Sequence, residues 1–360
     1  MQKYQVGIIG ATGMVGQRLV LLLNNHPWFN VTCLAASARS AGQSYANAIK
    51  GRWAFPKQPV PESIAVLPVI DASDIDAVAK EVDFVFCAVD MPKDQIKALE
   101  EAYAKAEIPV ISNNSAHRHT KDVPMLIPEI NGAHADIIHA QRKRLGTEVG
   151  FIAVKPNCSI QSYVPALWPL EKYGIDKVSV CTYQAISGAG KTFETWPEMV
   201  DNVIPYIGGE DEKSECEPLK IFGEIKGDEI VDATSPTISA QCLRVACSDG
   251  HMAAVSVSFK NKPSKEEIFE DWEEANKQNL GLPSSPEKFL TYFQDPTRPQ
   301  TQLDRDLYQG MGVSIGRLRE DSVFDYKFVC LSHNTLRGAA GGGVLSAEYL
   351  CEKGFIPHRK

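Results

Sequence analysis

Cys158 stands in "AVKPNCSIQS" (residues 153–162), behind a proline and an asparagine, between a short apolar run and a segment patterned as a helix. A structural thiol needs no such setting. A nucleophile gains from it, because backbone N–H groups at a helix start favour the thiolate. Thiolate chemistry also needs a proton carrier, and His251 at the end of "LRVACSDGH" can titrate near neutral pH. Arg244, seven residues earlier on a strand-like run, offers the forked guanidinium that grips both oxygens of a carboxylate. Each residue has another possible use. A lone cysteine is usually a small core residue, His251 could bond its own hairpin turn, and Glu217 and Lys220 could be an exposed helix pair.

A second chemistry is written at the N-terminus. "IIGATGMVG" places Gly10, Gly13 and Gly16 directly after a strand and into a helix, with Thr12, Met14 and Val15 between them. Glycines in that context permit a tight turn, close approach of a pyrophosphate and close helix packing. The spacing is G-x-x-G-x-x-G rather than the more usual G-x-G-x-x-G. At the end of the second strand, "LAASARSAG" lacks the acid that would accept from an unmodified ribose. Ser37, Arg39 and Ser40 suit a 2′-phosphate instead, so NADP is expected over NAD. "SGAGKT" (187–192) resembles the end of a phosphate loop, but the required first glycine falls at 185, which is alanine.

The elements that must position these groups change character along the chain. Up to about residue 155, strand and helix patterns alternate, as in "YQVGIIG", "MVGQRLVLLLNN" and "VTCLAAS", predicting an α/β, Rossmann-type doubly wound parallel sheet. From about 178, long alternating runs such as "KVSVCTYQAIS" and "VFDYKFVCLSHN" predict an α+β domain with a mainly antiparallel sheet. The expected division is 1–155 for the cofactor domain, completed by a small-residue C-terminal helix at 335–360, and 156–334 for catalysis and dimerisation. The chain has 360 residues and a net charge of −8, which argues against nucleic acid or an anionic membrane as partner. The basic run "QRKR" (141–144) reads as a solvated helix face. Nine scattered cysteines without a C-x-x-C pair, and no signal peptide or apolar span, predict a reduced cytoplasmic protein. His117 and His119 flank Arg118 without a carboxylate or thiol partner, so no metal is expected.

Taken together, "GATGMVG", "NNSAHR" (113–118), "PNCS" (156–159), "YQAISGAG" (183–190), "CEPLK" (216–220), "LRVACSDGH" and "HNTLRGAAGG" (333–342) resemble the aspartate-β-semialdehyde dehydrogenase family, in its archaeal and fungal branch. The resemblance implies NADP-dependent reduction of L-aspartyl 4-phosphate to the 4-semialdehyde through a cysteine thioester, in lysine, threonine and methionine biosynthesis. It implies Cys158 as nucleophile, His251 as acid/base and Gln184 as the orienting amide. It also implies Arg244 on the substrate carboxylate, Glu217 on its amino group, Arg118 and Lys220 on phosphate, and Asn157 as a further substrate-binding residue. Ser187, Gly188 and Asn334 would line the nicotinamide, and the assembly would be a homodimer or a dimer of dimers. Gln161, three residues after Cys158, leaves a malonyl-CoA or succinyl-CoA reductase of the same fold as the alternative.

Overall fold

In the computed structural model, which describes residues 2–358, the apolar runs of the first half become parallel strands. Met1 and the last two residues of the expected 335–360 segment lie outside the described residues. The strands are β1 (Tyr4–Ile9), β2 (Phe29–Ala36), β3 (Val69–Asp71), β4 (Phe84–Cys87), β5 (Val110–Ser112) and β6 (Ile152–Val154). Their order is β3-β2-β1-β4-β5-β6, and every pairing is parallel. β4, β5 and β6 are buried throughout, as continuous apolar strands covered on both faces must be. Among the helices that flank them are α1 (Met14–Leu23), α2 (Lys93–Lys105) and α3 (Ile138–Leu145). The strand order reverses between β1 and β4, so a crevice for a ligand opens there, at the turn that holds Gly10.

α3 shows the "QRKR" run to be solvated only in part, at Lys143 and Arg144. Gln141 is fully buried and donates to the carbonyls of Asp122 and Ile152. Arg142 donates to the carbonyls of Val149 and Phe355, and Arg144 pairs with Asp122. Gln141 and Arg142 serve backbone acceptors that would otherwise lack partners, and Arg144 reaches one carboxylate.

The second sheet follows β7 (Ile175–Gln184), β8 (Val203–Ile204), helix α4 (Glu210–Ile221) and the hairpin β9 (Glu224–Lys226) and β10 (Glu229–Val231). It continues with β11 (Thr237–Val245), β12 (His251–Phe259), helix α5 (Lys265–Ala275), β13 (Leu290–Phe293), β14 (Val313–Glu320) and β15 (Tyr326–Ser332). The order is β13-β14-β15-β12-β7-β11-β8. The sheet is mainly antiparallel, but β7 with β11 and β13 with β14 run parallel. "LRVACSDGH" is therefore not a hairpin, because β7 lies between β11 and β12.

One face of this sheet is sealed. His251, Ala253, Val255, Val257 and Phe259 alternate inward along β12, and Trp272 of α5 packs into the same core. Each large apolar side chain buried there contributes roughly 1.5–3 kcal/mol. The C-terminal helix α6 spans Ala340–Glu352, starting five residues later than expected. Val344, Ala347 and Leu350 share a core with β1 and with Leu19 of α1. Its glycines allow contact no larger residue would tolerate: a Cβ on Gly342 would lie 2.4 Å from the Arg337 carbonyl oxygen. Gly354, at φ +75°, marks the chain's exit from the helix.

Candidate active site

Crossing over β7 brings three strand ends to one edge. Gln184 closes β7, Arg244 lies opposite it in register on β11, and His251 opens β12. The residue after Gln184 ties them together. The Ala185 N–H donates to His251 Nδ1 at 3.1 Å, and its carbonyl accepts from Arg244 Nη1 at 2.7 Å. Gly188 lies against the same pair, where a Cβ would come 2.9 Å from Arg244 Nη1 and 3.0 Å from His251 Nε2. Asn334 completes this rim, donating to Ser187 Oγ at 2.9 Å and accepting from the Gly250 N–H at 2.8 Å.

Cys158 arrives from the first sheet, just past β6. Its sulfur stands 3.4 Å from His251 Nε2. The helical run expected behind it is broken into a 3-10 turn at Ile160–Ser162, four α residues at Val164–Leu167 and a second 3-10 stretch at Trp168–Tyr173. Pro165 and Pro169 remove the N–H groups that a continuous helix would need. Such short pieces supply little dipole, so the thiol is not set up as a helix-start thiolate. Burial pushes the Cys158 thiol up, Glu210 adds to that, and Lys155, Arg118 and Arg244 oppose it. His251 does not titrate near neutral pH as expected: burial, then Arg244, brings it down to about 3, which leaves a neutral imidazole beside the thiol.

Asn157 organises the turn. Its Oδ1 accepts from the N–H and hydroxyl of Ser159, and its Nδ2 donates to both oxygens of Glu210 at 3.1 and 3.0 Å. Gln184 Nε2 donates to Glu210 as well, at 3.2 Å. Glu210 also pairs with Lys213 at 2.6 Å. Burial alone would raise the Glu210 carboxyl, but Lys213 and these donors hold it below its ordinary value, as a carboxylate.

At the carboxyl end of β1, the β1–α1 turn fits a dinucleotide. Gly10 has φ +89°, and a Cβ there would sit 2.3 Å from the Ala88 carbonyl oxygen. Gly16 is as tight against Gly10, whereas Gly13 is exposed, with its nearest would-be neighbour at 3.6 Å. Gly13 is also the N-cap of α1 and supplies no side-chain cap, so the N–H groups of Met14, Val15 and Gly16 start the helix facing the crevice. Thr12 holds the turn through its carbonyl, which accepts from Gln17 Nε2. Past β2, Ser37 and Arg39 are exposed, and the buried Ser40 donates its N–H to the Ser37 carbonyl.

A semialdehyde dehydrogenase NAD-binding domain model matches residues 5–138, and a semialdehyde dehydrogenase dimerisation domain model matches 167–337. An aspartate-semialdehyde dehydrogenase of Archaeoglobus fulgidus is 40% identical over 98% of this chain and all of its own length. That of Saccharomyces cerevisiae is 42% identical over 98% and 99% of the two chains. The chain belongs to the aspartate-semialdehyde dehydrogenase family. The fold agrees with a crystal structure of aspartate semialdehyde dehydrogenase with NADP from Candida albicans, at a TM-score of 0.87 and 38% identity over 99% and 100% of the two chains.

Against the family's expected roles, two placements differ. Glu217 faces inward but is already engaged, to Arg118 Nη1 at 2.9 Å and to the Asn157 N–H at 2.6 Å. Lys220 is turned away from Cys158. It donates to the carbonyls of Arg118 and Thr120 at 2.8 and 2.7 Å, holding the 118–120 loop, and burial brings it down to about 8. The carboxylate that reaches Gln184 and the Cys158 turn is Glu210, with Lys213 beside it. Sequence reasoning missed both, and it missed Lys155, directly before "PNCS". Among the described residues no helix is long and apolar enough to cross a membrane.

Proposed function

We propose that this chain is an NADP-dependent aspartate-semialdehyde dehydrogenase that makes L-aspartate 4-semialdehyde from L-aspartyl 4-phosphate in amino-acid biosynthesis. The observation that carries the reading is the Cys158–His251 contact at 3.4 Å, framed by Arg244 and Gln184 on one sheet edge. In the oxidative direction, Cys158 adds to the aldehyde carbon while His251 manages the thiol and carbonyl protons, giving a thiohemiacetal. Bound NADP supplies the hydride chemistry. Loss of hydride from the thiohemiacetal carbon leaves a thioester on Cys158, and phosphate attack releases the acyl phosphate and frees the thiol. Gln184 positions the acyl oxygen, and Arg244 holds the α-carboxylate with its fork. Glu210, rather than Glu217, meets the α-ammonium, and the half-buried Lys213 takes phosphate with Arg118.

The cradle Gly10, Thr12, Gly13, Met14, Val15, Gly16 would hold the pyrophosphate. Ser37, Arg39 and Ser40 would hold the 2′-phosphate, since no acid stands there to repel it. Ser187, Gly188 and Asn334 would border the nicotinamide. Residues 1–155 with the C-terminal helix would form the cofactor unit, and 156–334 the catalytic and dimerisation unit. The half-exposed outer face of the second sheet, with exposed Tyr183, Val203 and Tyr206 near its β8 edge, would join two copies in a cytoplasmic homodimer. The test is NADPH formation from aspartate semialdehyde: it should require phosphate. Activity that requires coenzyme A instead would overturn the reading in favour of an acyl-CoA reductase.

A further inference from the structure

The peptide joining Pro156 to Asn157, immediately ahead of Cys158, is gripped on both sides by buried charged groups. The Lys155 ammonium donates to its carbonyl oxygen, and Glu217 Oε2 accepts from its N–H at 2.6 Å. Arg118 closes the circuit, with Nη1 on Glu217 Oε1 at 2.9 Å and Nε on the Lys155 carbonyl at 3.0 Å. Lys155, Arg118 and Glu217 are 2%, 6% and 1% exposed. Gly342 of α6 lies over the lysine's stem, where a Cβ would come within 3.5 Å of its Cδ.

Burying an ammonium is costly, and a lysine needed only to fill this space would be better replaced by a methionine of similar volume. Yet, among the described residues, its ammonium donates to a carbonyl in the nucleophile's own turn. Arg118 already satisfies Glu217, so the lysine is not there to complete a simple ion pair.

We propose that Lys155 is a positioning residue: with Glu217 it locks the Pro156–Asn157 peptide that aims the Cys158 thiol, and its ammonium offsets Glu210 as the thiolate forms. The proposal rests on Cys158 being the nucleophile. The charged and titratable groups that face this sulfur are Lys155 after β6, Arg118 after β5, Glu210 with Lys213 on α4, Arg244 on β11 and His251 on β12. Of these, Lys155, Arg118 and Arg244 favour the thiolate and Glu210 disfavours it. Burial, then Arg118, brings Lys155 itself down to about 7, while Cys158, Glu217 and Glu210 oppose that, so the ammonium is retained as the thiolate forms beside it.

The experiment is the rate of iodoacetamide inactivation against pH, with the labelled cysteine mapped, for the unmodified protein, Lys155→Met and Lys155→Arg. Lys155→Met should move the inflection for Cys158 labelling to higher pH by about one unit and slow labelling at pH 7 roughly tenfold. NADP affinity should be unchanged, and Lys155→Arg should recover most of the shift. An unchanged inflection in Lys155→Met overturns the proposal, whatever its activity or melting temperature, and leaves the nucleophile assignment standing. A label on another cysteine of the unmodified protein overturns that assignment, and this proposal with it. Should Lys155→Met not fold, Lys155→Gln carries the same comparison. If none of the three variants folds, Lys155 is a structural residue and the proposal falls.

Discussion

At the β1–α1 turn nearly every group offered to a ligand is a backbone N–H, whereas around Cys158 nearly every one is a side chain, and most of those carry charge. The turn is built from seven consecutive residues, 10–16, and needs only that certain Cβ atoms be absent. The sheet edge draws on Cys158, Gln184, Glu210, Arg244 and His251, from five separate elements, and each holds another in place. A site made of backbone tolerates most substitutions and fails sharply at a few glycines. A site made of coupled side chains fails at almost any member, with consequences that depend on charge and pH.

The sharpest test of that contrast removes the sulfur. Cys158→Ala should reduce turnover to background while calorimetric NADP affinity stays at the unmodified value, because no group of the β1–α1 cradle touches Cys158. A parallel loss of NADP affinity would mean that the two regions are one coupled site.

The converse test stays within the turn. Gly10→Ala forces a Cβ to 2.3 Å from the Ala88 carbonyl at a φ of +89°, where a side chain alone costs about 1–3 kcal/mol before any clash. It should lower the melting temperature and abolish NADP binding together. Gly13→Ala meets nothing closer than 3.6 Å at a φ of −78°. It should melt as the unmodified protein does and lose only NADP affinity, through its methyl group at the pyrophosphate. Equal melting temperatures for the two variants would break the argument that Gly10 serves the fold and Gly13 serves the ligand.

The same contrast explains what could be read in the sequence. Gly10, Gly13 and Gly16 are local: strand, turn and helix are contiguous, so spacing and context disclose the cradle. The parallel pairing of β11 with β7 is not local. Thr237 meets Lys177 sixty residues away, and nothing within "LRVACSDGH" signals that another strand lies between its two halves. Glu210 was hidden differently. Glu210, Asp211 and Glu212 all suit the first turn of a helix, and only the direction of the helix decides which one faces Gln184. Asp211 turns instead to the Cys242 N–H, which pins α4 to β11. Lys220 was chosen by motif order, but its direction follows from the carbonyls of the 118–120 loop that need a donor. Lys155 carries no pattern at all, since a lysine after a short strand reads as solvated until the fold buries it.

The smallest effect separates the regions by pH. A histidine held at about 3 in the folded protein, against 6.5 in the unfolded chain, binds its proton more readily when unfolded. Stability therefore rises with pH across that interval, and the neutral imidazole's contribution is whole above about 6.5 and lost as pH falls toward 3. One such group gives a slope of about 1.4 kcal/mol per pH unit. His117, His134 and His333 are also held down, each chiefly by burial, so the unmodified protein should lose stability on acidification with more than one proton involved. His251→Asn removes one of them while its side-chain oxygen can still accept from the Ala185 N–H. Urea unfolding measured from pH 5 to 7 should show a slope shallower by one proton in the variant, with the two curves converging in their pH dependence above pH 7. The β1–α1 turn contains no group that titrates in this range, so Gly13→Ala should run parallel to the unmodified protein throughout. Equal slopes for His251→Asn and the unmodified protein would mean that the imidazole is not buried neutral, and that the thiol beside it is already an ion pair.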